Sequence, residues 1–325
     1  MKNFTKNSTM KKILFGASLL VLVSCKSLKK DQVVKLSAPQ VTANAKELVR
    51  ITNDIVGEYQ PNLSPNGKKL LYAIRDDSKS GAKKFSIRLK NDLKTPGFTP
   101  LIGDGTDGAS WMNNSEDFIF TYWASKPVIV TSNVNKLGIK YIGQNAYGDY
   151  DNSPKLSPKG DKILMTTRLQ ENNSICLVNA DGSDFTVLSS GDNPTWHPSG
   201  KTILYSKKSG EYQQLFELNL DSFQSTQITI GDYDSFYGSY SPDGKRIAFI
   251  SSKDNKFNHL FIMNTKTRGV SQLTGGNSSE LQPFWGADGY IYFSSNAGAK
   301  TPDDVVIKPD NLTYADIWRV RPLIN

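Results

Sequence analysis

Short apolar runs recur along this chain at nearly constant spacing, each bounded by Pro, Gly, Asn, Asp or Ser. The clearest cover residues 70–74, 118–120, 162–165, 202–205, 246–250 and 290–293. They are rich in β-branched and aromatic residues and flanked by turn residues, so each reads as a strand. Before each run stands one phrase in several versions. It reads Pro61-Asn62-Leu63-Ser64-Pro65-Asn66-Gly67-Lys68, Pro154-Lys155-Leu156-Ser157-Pro158-Lys159-Gly160 and Pro194-Thr195-Trp196-His197-Pro198-Ser199-Gly200-Lys201. It returns as Tyr240-Ser241-Pro242-Asp243-Gly244-Lys245 and Pro283-Phe284-Trp285-Gly286-Ala287-Asp288-Gly289, and in worn form over residues 110–117. The anchors Leu63, Trp111, Leu156, Trp196, Tyr240 and Trp285 are 48, 45, 40, 44 and 45 residues apart. A third apolar segment follows in several repeats (174–178, 214–218, 259–263), and a fourth ends in Leu or Ile (187–188, 227–229, 272–274).

A repeat of about 40–45 residues built from strands is the signature of a propeller blade. Four strands per repeat make one antiparallel blade. The pattern therefore predicts an all-β, six-bladed β-propeller of four-stranded antiparallel blades. Asn66-Gly67, Asp243-Gly244 and Asp288-Gly289 supply the positive φ that tight turns require. Asp181-Gly182 suits a turn between third and fourth strands. Residues 48–52 look like a fourth strand with no blade before it, and residues 316–320 like a third strand with no fourth after it. Pairing them closes the ring and covers both sheet edges.

The first 24 residues read as an address. Lys11 and Lys12 precede an apolar run over 13–23, which is shorter than the about 20 residues a membrane span needs and fits a signal segment. The run ends in Leu22-Val23-Ser24-Cys25, which resembles the lipobox of bacterial lipoproteins. That resemblance implies cleavage before Cys25 and acylation of it, by chains such as palmitate, anchoring the protein to a membrane. Lys26 stands where inner-membrane lipoproteins of enteric bacteria carry Asp, which implies the outer membrane, on either its periplasmic or its surface face. Residues 25–45 lack periodicity and read as a flexible tether. The expected organisation is a signal peptide over 1–24, a tether over 25–45 and a propeller over 46–325.

Charge adds little. The formal +8 includes four lysines in the first 24 residues, where no acid is found, and the rest is interspersed. This is not a nucleic-acid footprint. Past Cys25 only Cys176 remains, so no disulfide can form within the mature chain. His197 and His259 have no ligand-like neighbours in sequence and read as structural. No Gly-x-Ser-x-Gly elbow, His-Glu-x-x-His or phosphate-binding loop is found.

The Ser-Pro-Asp-Gly-Lys phrase over 241–245, the Gln272-Leu273-Thr274 strand and Asp316-Ile317-Trp318 together resemble the six-bladed TolB-like propellers built from PD40-type repeats. The resemblance covers about residues 47–321. It implies a non-enzymatic binding protein of the bacterial cell envelope. There are three departures: the second repeat lacks the Pro and Gly, His197 replaces a Ser, and the tether leads straight into a blade with no α/β domain before it.

An acidic residue precedes every anchor by four to six positions: Glu58, Asp107, Asp151, Asp192, Asp234 and Glu280. Two readings fit. Six carboxylates, one per blade, can form a collar at one mouth of the channel that attracts a basic peptide or a cation such as Ca²⁺. Equally, Asp is favoured in turns by local chemistry. Tyr147, Tyr150, Tyr233, Phe236 and Tyr237 precede blades three and five and are candidates for partner contact. The expected function is a membrane-tethered propeller that binds an envelope protein or peptide. The alternatives are a carbohydrate or peptide sensor, or a lyase or hydrolase acting on polysaccharide through a carboxylate site at the channel mouth.

Overall fold

The computed structural model describes residues 36–143, 146–253, 257–297 and 314–324. The expected signal peptide, Cys25 and the first part of the expected tether lie outside the described residues. The described residues form six four-stranded antiparallel sheets. Blade 1 runs Gly57–Leu63, Leu70–Arg75, Phe85–Lys90 and Thr99–Pro100; blade 2 runs Thr106–Trp111, Asp117–Trp123, Pro127–Asn133 and Lys140–Tyr141. Blades 3, 4 and 5 begin at Asp151–Leu156, Asp192–Trp196 and Ser235–Tyr240 and repeat the order. Blade 6 takes Glu280–Trp285, Ile291–Ser295 and Asp316–Pro322, and its outer strand is Ala45–Arg50 from the start of the chain. The ring closes as the two lone strands in the sequence require.

The chain is held earlier than the strand pattern suggests. Gln40 and Val41 pair with Gly275 and Thr274. Thr42 Oγ1 and Asn44 Nδ2 both donate to the Gln272 carbonyl, at 2.6 and 3.1 Å. Residues 37–44 of the expected tether thus lie along the outer edge of blade 5.

The turn phrase has one physical solution, repeated. In blade 5 the Gly244 amide donates to the Ser241 carbonyl at 2.8 Å, and the Ser241 amide donates to the Arg246 carbonyl at 2.8 Å. Ser241 Oγ accepts from the Arg246 amide at 3.0 Å, which satisfies a donor the tight turn would otherwise strand. Only the glycine takes a positive φ, +71° at Gly67 and +70° at Gly244; Asn66 and Asp243 stay right-handed and cap the turn through their side chains. In the worn second repeat Ser115, at φ +60°, stands in for the glycine. His197 replaces the Ser by accepting the Ser199 amide on Nδ1 at 3.1 Å, and its ring packs edge-on against Tyr240 with centroids 4.7 Å apart.

That ring sets a testable difference between two turns. A Cβ on Gly244 would lie 2.5 Å from His197 Nε2, whereas on Gly67 the nearest atom is 4.0 Å away. Both substitutions meet left-handed strain of about 1 kcal/mol. Gly244→Ala adds a clash, for a total of about 2–3 kcal/mol. Urea denaturation should show the larger loss for Gly244→Ala; equal midpoints for the two variants would show that the histidine yields freely.

Three of the anchors stitch their blade to the one before it. Trp111 Nε1 donates to the Asn62 carbonyl at 2.9 Å, Trp196 Nε1 to the Lys155 carbonyl at 3.0 Å, and Tyr240 Oη to Glu217 Oε1 at 2.7 Å. Around them the core is a chain of clusters between blades. Leu63, Leu70 and Tyr72 of blade 1, for example, pack on Tyr292 and Ile317 of blade 6. Cys176 is fully buried, and burial pushes its thiol up to about 12, so it is an inert core residue.

Candidate functional site

The innermost strand of every blade breaks its pairing once. The register slips between Tyr59 and Asn62, Asp107 and Ser110, Asn152 and Lys155, Asp192 and Thr195, Phe236 and Ser239, and Leu281 and Phe284. Such bulges add a residue to one strand and re-aim a side chain. Inside each slip one residue is left-handed: Gln60, Gly108, Ser153, Asn193, Tyr237 and Gln282, with φ between +52° and +63°. Each lies three positions before its anchor. Five of the six are not glycine, so each carries about 1 kcal/mol or more of strain. Strain repeated at one position in six blades marks a constrained site.

These six residues line a central cavity of about 80 Å³, together with Asn62, Ser110 and Lys155. That is room for several water molecules, since one needs about 10–15 Å³ by the same measure. The bulges are tied to one another. Gln282 Oε1 accepts the Gln60 amide at 3.0 Å, and Gln60 Oε1 accepts the Gly108 amide at 3.0 Å. Asn62 Oδ1 accepts the Trp111 amide at 3.2 Å. A backbone N–H can only donate, so these partners fix which side-chain atom is the oxygen.

The six acids are engaged differently. Asp107 accepts the Gly108 amide at 2.8 Å. Asp151 accepts the Tyr147 amide at 2.8 Å and the Thr167 hydroxyl. Asp192 accepts from Asn173 Nδ2 at 2.9 Å, and Asp234 accepts the Gln213 amide at 2.8 Å. Glu280, fully buried, meets His259 Nδ1 at 2.9 Å and accepts the Thr274 and Ser278 hydroxyls, each at 2.7 Å. Glu58 is 1% exposed and lies 3.7 Å from Arg88 Nη1. Burial pushes Glu58 up to about 8 and Asp107 up to about 6, and it raises Asp151, Asp192 and Asp234. None of the six lines the cavity. Among the described residues no three His, Cys, Asp or Glu side chains group closely enough to hold a metal ion. Five of the six serve as acceptors for backbone or side-chain donors.

Of the five aromatic candidates, Tyr237 reaches the channel, where its ring packs on Phe236 with centroids 5.1 Å apart. Tyr147 stacks on Phe185 and donates to the Gly182 carbonyl at 2.7 Å, and Tyr150 tilts against Trp123. Tyr233 donates to the Ile230 carbonyl at 3.2 Å. Of the five, Tyr237 alone lines the cavity. The strand pattern did not single out Gln60, Ser153, Asn193, Gln282 or Lys155. Their constant offset from the anchors is the one signal that locates them.

The chain matches the family model of the TolB beta propeller domain, PD40, over residues 35–236. It is 25% identical over 182 residues to the Tol-Pal system protein TolB of Anaeromyxobacter dehalogenans, covering 56% of this chain and 36% of that protein. The protein of the same name from Francisella tularensis is 33% identical over 93 residues, 27% of this chain and 21% of the relative. The matches thus span about a third or less of those curated relatives. In structure it is similar to a putative TolB from Agrobacterium tumefaciens, with a TM-score of 0.59 and 15% identity, covering 85% of this chain and 96% of that one. The oligogalacturonate lyase of Vibrio parahaemolyticus shares the fold as well, with a TM-score of 0.53 and 14% identity over 89% of this chain and 98% of the lyase. With more than half of its length matched by that model, the chain belongs to the PD40 family of TolB β-propeller domains.

Proposed function

We propose that this protein is a binding module of the bacterial cell envelope, anchored through a lipid on Cys25, that holds a protein or peptide partner at the channel of its propeller. The observation that carries the reading is the ring of six bulges. It turns neutral amide and hydroxyl side chains into the channel, while five of the six neighbouring acids are held by internal hydrogen bonds. An amide lining matches the donors and acceptors of an extended peptide, which needs both. Buried acids already engaged as acceptors are poorly placed for general acid–base work, which needs a carboxyl within reach of the reacting atoms. The Tol-Pal names of the relatives support an envelope role, and fold likeness alone would not.

The test uses the full-length lipidated protein in native membranes, with a photo-crosslinking residue at Asn193 in the channel or at Thr226 on the outer strand of blade 4. The expected result is one envelope protein crosslinked from position 193 and absent from position 226. Radiolabelled palmitate should enter the wild type and not Cys25→Ala. Crosslinks of equal yield from both positions, or turnover of polygalacturonate by the purified protein, would overturn the reading.

A further inference from the structure

We propose that the channel is an anion receptor in which the Lys155 ammonium takes a carboxylate of an acidic peptide segment. This rests on the peptide-binding reading above and names the chemistry of its ligand.

Lys155 is the only charged residue of the cavity lining. At the matching position, one before the anchor, the other blades carry Asn62, Ser110, Thr195, Ser239 and Phe284. The lysine is therefore not required by the blade. It sits just past the blade 3 bulge, paired with Leu164, and its carbonyl is held by Trp196 Nε1 at 3.0 Å. No acidic residue lines the cavity, and among the described residues no ion pair or hydrogen bond involves its ammonium.

The surroundings also favour an anion. Gln60, Asn62 and Gln282 each have their side-chain oxygen engaged by a backbone N–H, at 3.0, 3.2 and 3.0 Å. Each of these amides keeps its NH₂ as a donor beside the second lone pair of its oxygen. The amide donors and the ammonium give the lining positive potential, and the half-buried Lys155 has no counter-charge beside it among the described residues. Burial alone lowers the Lys155 ammonium to about 8, with no carboxylate to offset it. It therefore remains mainly protonated at neutral pH. A cavity of about 80 Å³ admits a carboxylate rather than a large group.

The test compares Ac-Gly-Asp-Gly-NH₂ with its neutral isostere Ac-Gly-Asn-Gly-NH₂ and with inorganic phosphate, at fixed ionic strength. The readout is the Cε resonance of ¹³C-labelled lysines in the full chain, with the Lys155 signal identified by its loss in Lys155→Met. The expected result is a saturable movement of that signal with the Asp peptide, binding at least about tenfold tighter than the Asn peptide. The titration midpoint of Lys155 should rise in the complex, because a bound carboxylate favours the ammonium. Equal binding of the two peptides would overturn the anion receptor while leaving peptide binding intact. Movement with phosphate and not with the Asp peptide, or with neither, would also overturn it.

Discussion

Ending the chain at residue 313 is expected to abolish its cooperative unfolding transition. The segment removed contains Asp316–Pro322, which lies between two strands and holds both. It pairs with Ile291–Ser295 on one side and with Ala45–Arg50 on the other. Ile317 and Val320 are fully buried, and Trp318 is nearly so. Burial of side chains of this size contributes about 1.5–3 kcal/mol each. Three of them amount to much of the about 5–15 kcal/mol that separates a folded domain from its unfolded chain. Further contacts go with them. The Glu58 amide donates to the Ala315 carbonyl at 2.7 Å, the Ile51 amide donates to the Ile317 carbonyl at 2.7 Å, and Thr52 Oγ1 accepts the Ile317 amide at 2.8 Å. These join blade 6 to the entrance of blade 1, and Arg50 pairs with Asp316 across the same seam. Deletion also bares two strand edges, which invites aggregation. Circular dichroism and size-exclusion chromatography should show a non-cooperative, aggregating chain. Ile317→Ala, which keeps the backbone ladder, should still fold with a loss of about 2–5 kcal/mol. A truncated chain that melts cooperatively near the wild-type temperature would show that five blades hold without closure.

The blades and the closure were legible because each repeat solves the same packing problem with the same residues. The anchors at Leu63, Trp111 and their equivalents must fill one seam between blades, and the turn before the second strand needs a glycine or a tolerant stand-in. Such demands leave a period in the sequence. The channel leaves a much fainter one. Its key position is defined by backbone conformation, and Gln60, Gly108, Ser153, Asn193, Tyr237 and Gln282 share no chemistry by which a reader would group them. The acids are conspicuous in sequence, yet their environment is set by partners far along the chain, such as His259 for Glu280 and Gln213 for Asp234. The binding of residues 37–44 along blade 5 was hidden for a related reason. It depends on two short strands and on Thr42 and Asn44 meeting the Gln272 carbonyl, contacts that span some 230 positions and leave no local pattern. Lys155 reads as one more surface lysine of a turn phrase, and only the fold turns it inward.

The same buried acids predict how stability follows pH. Glu58 ionises near 4.5 in the unfolded chain and is pushed up to about 8 in the fold. Burial is the main cause. A hydrogen bond from Thr52 opposes it, and the Asp316 carboxylate nearby adds to it and outweighs Arg88, which stands closer to Asp54 (2.6 Å) than to Glu58 (3.7 Å). Between those two values the folded state holds a proton that the unfolded state has released, so stability falls as pH rises. The contribution is fully present below about pH 4.5 and lost as pH passes through about 8, a span worth about 3–5 kcal/mol. Asp107, with its carboxyl near 6, acts in the same direction at lower pH, and the raised Asp151, Asp192 and Asp234 share that direction. Lys155 acts oppositely, but only above about 8. The wild type is therefore expected to melt at a higher temperature at pH 5 than at pH 8. Glu58→Gln keeps the shape and removes the proton, so it should match the wild type near pH 5 and exceed it at pH 8 by about 2–4 kcal/mol. If Glu58→Gln instead weakens the fold equally at both pH values, the carboxylate is ionised in the fold and its pairing with Arg88 ties the first strand of blade 1 to the third.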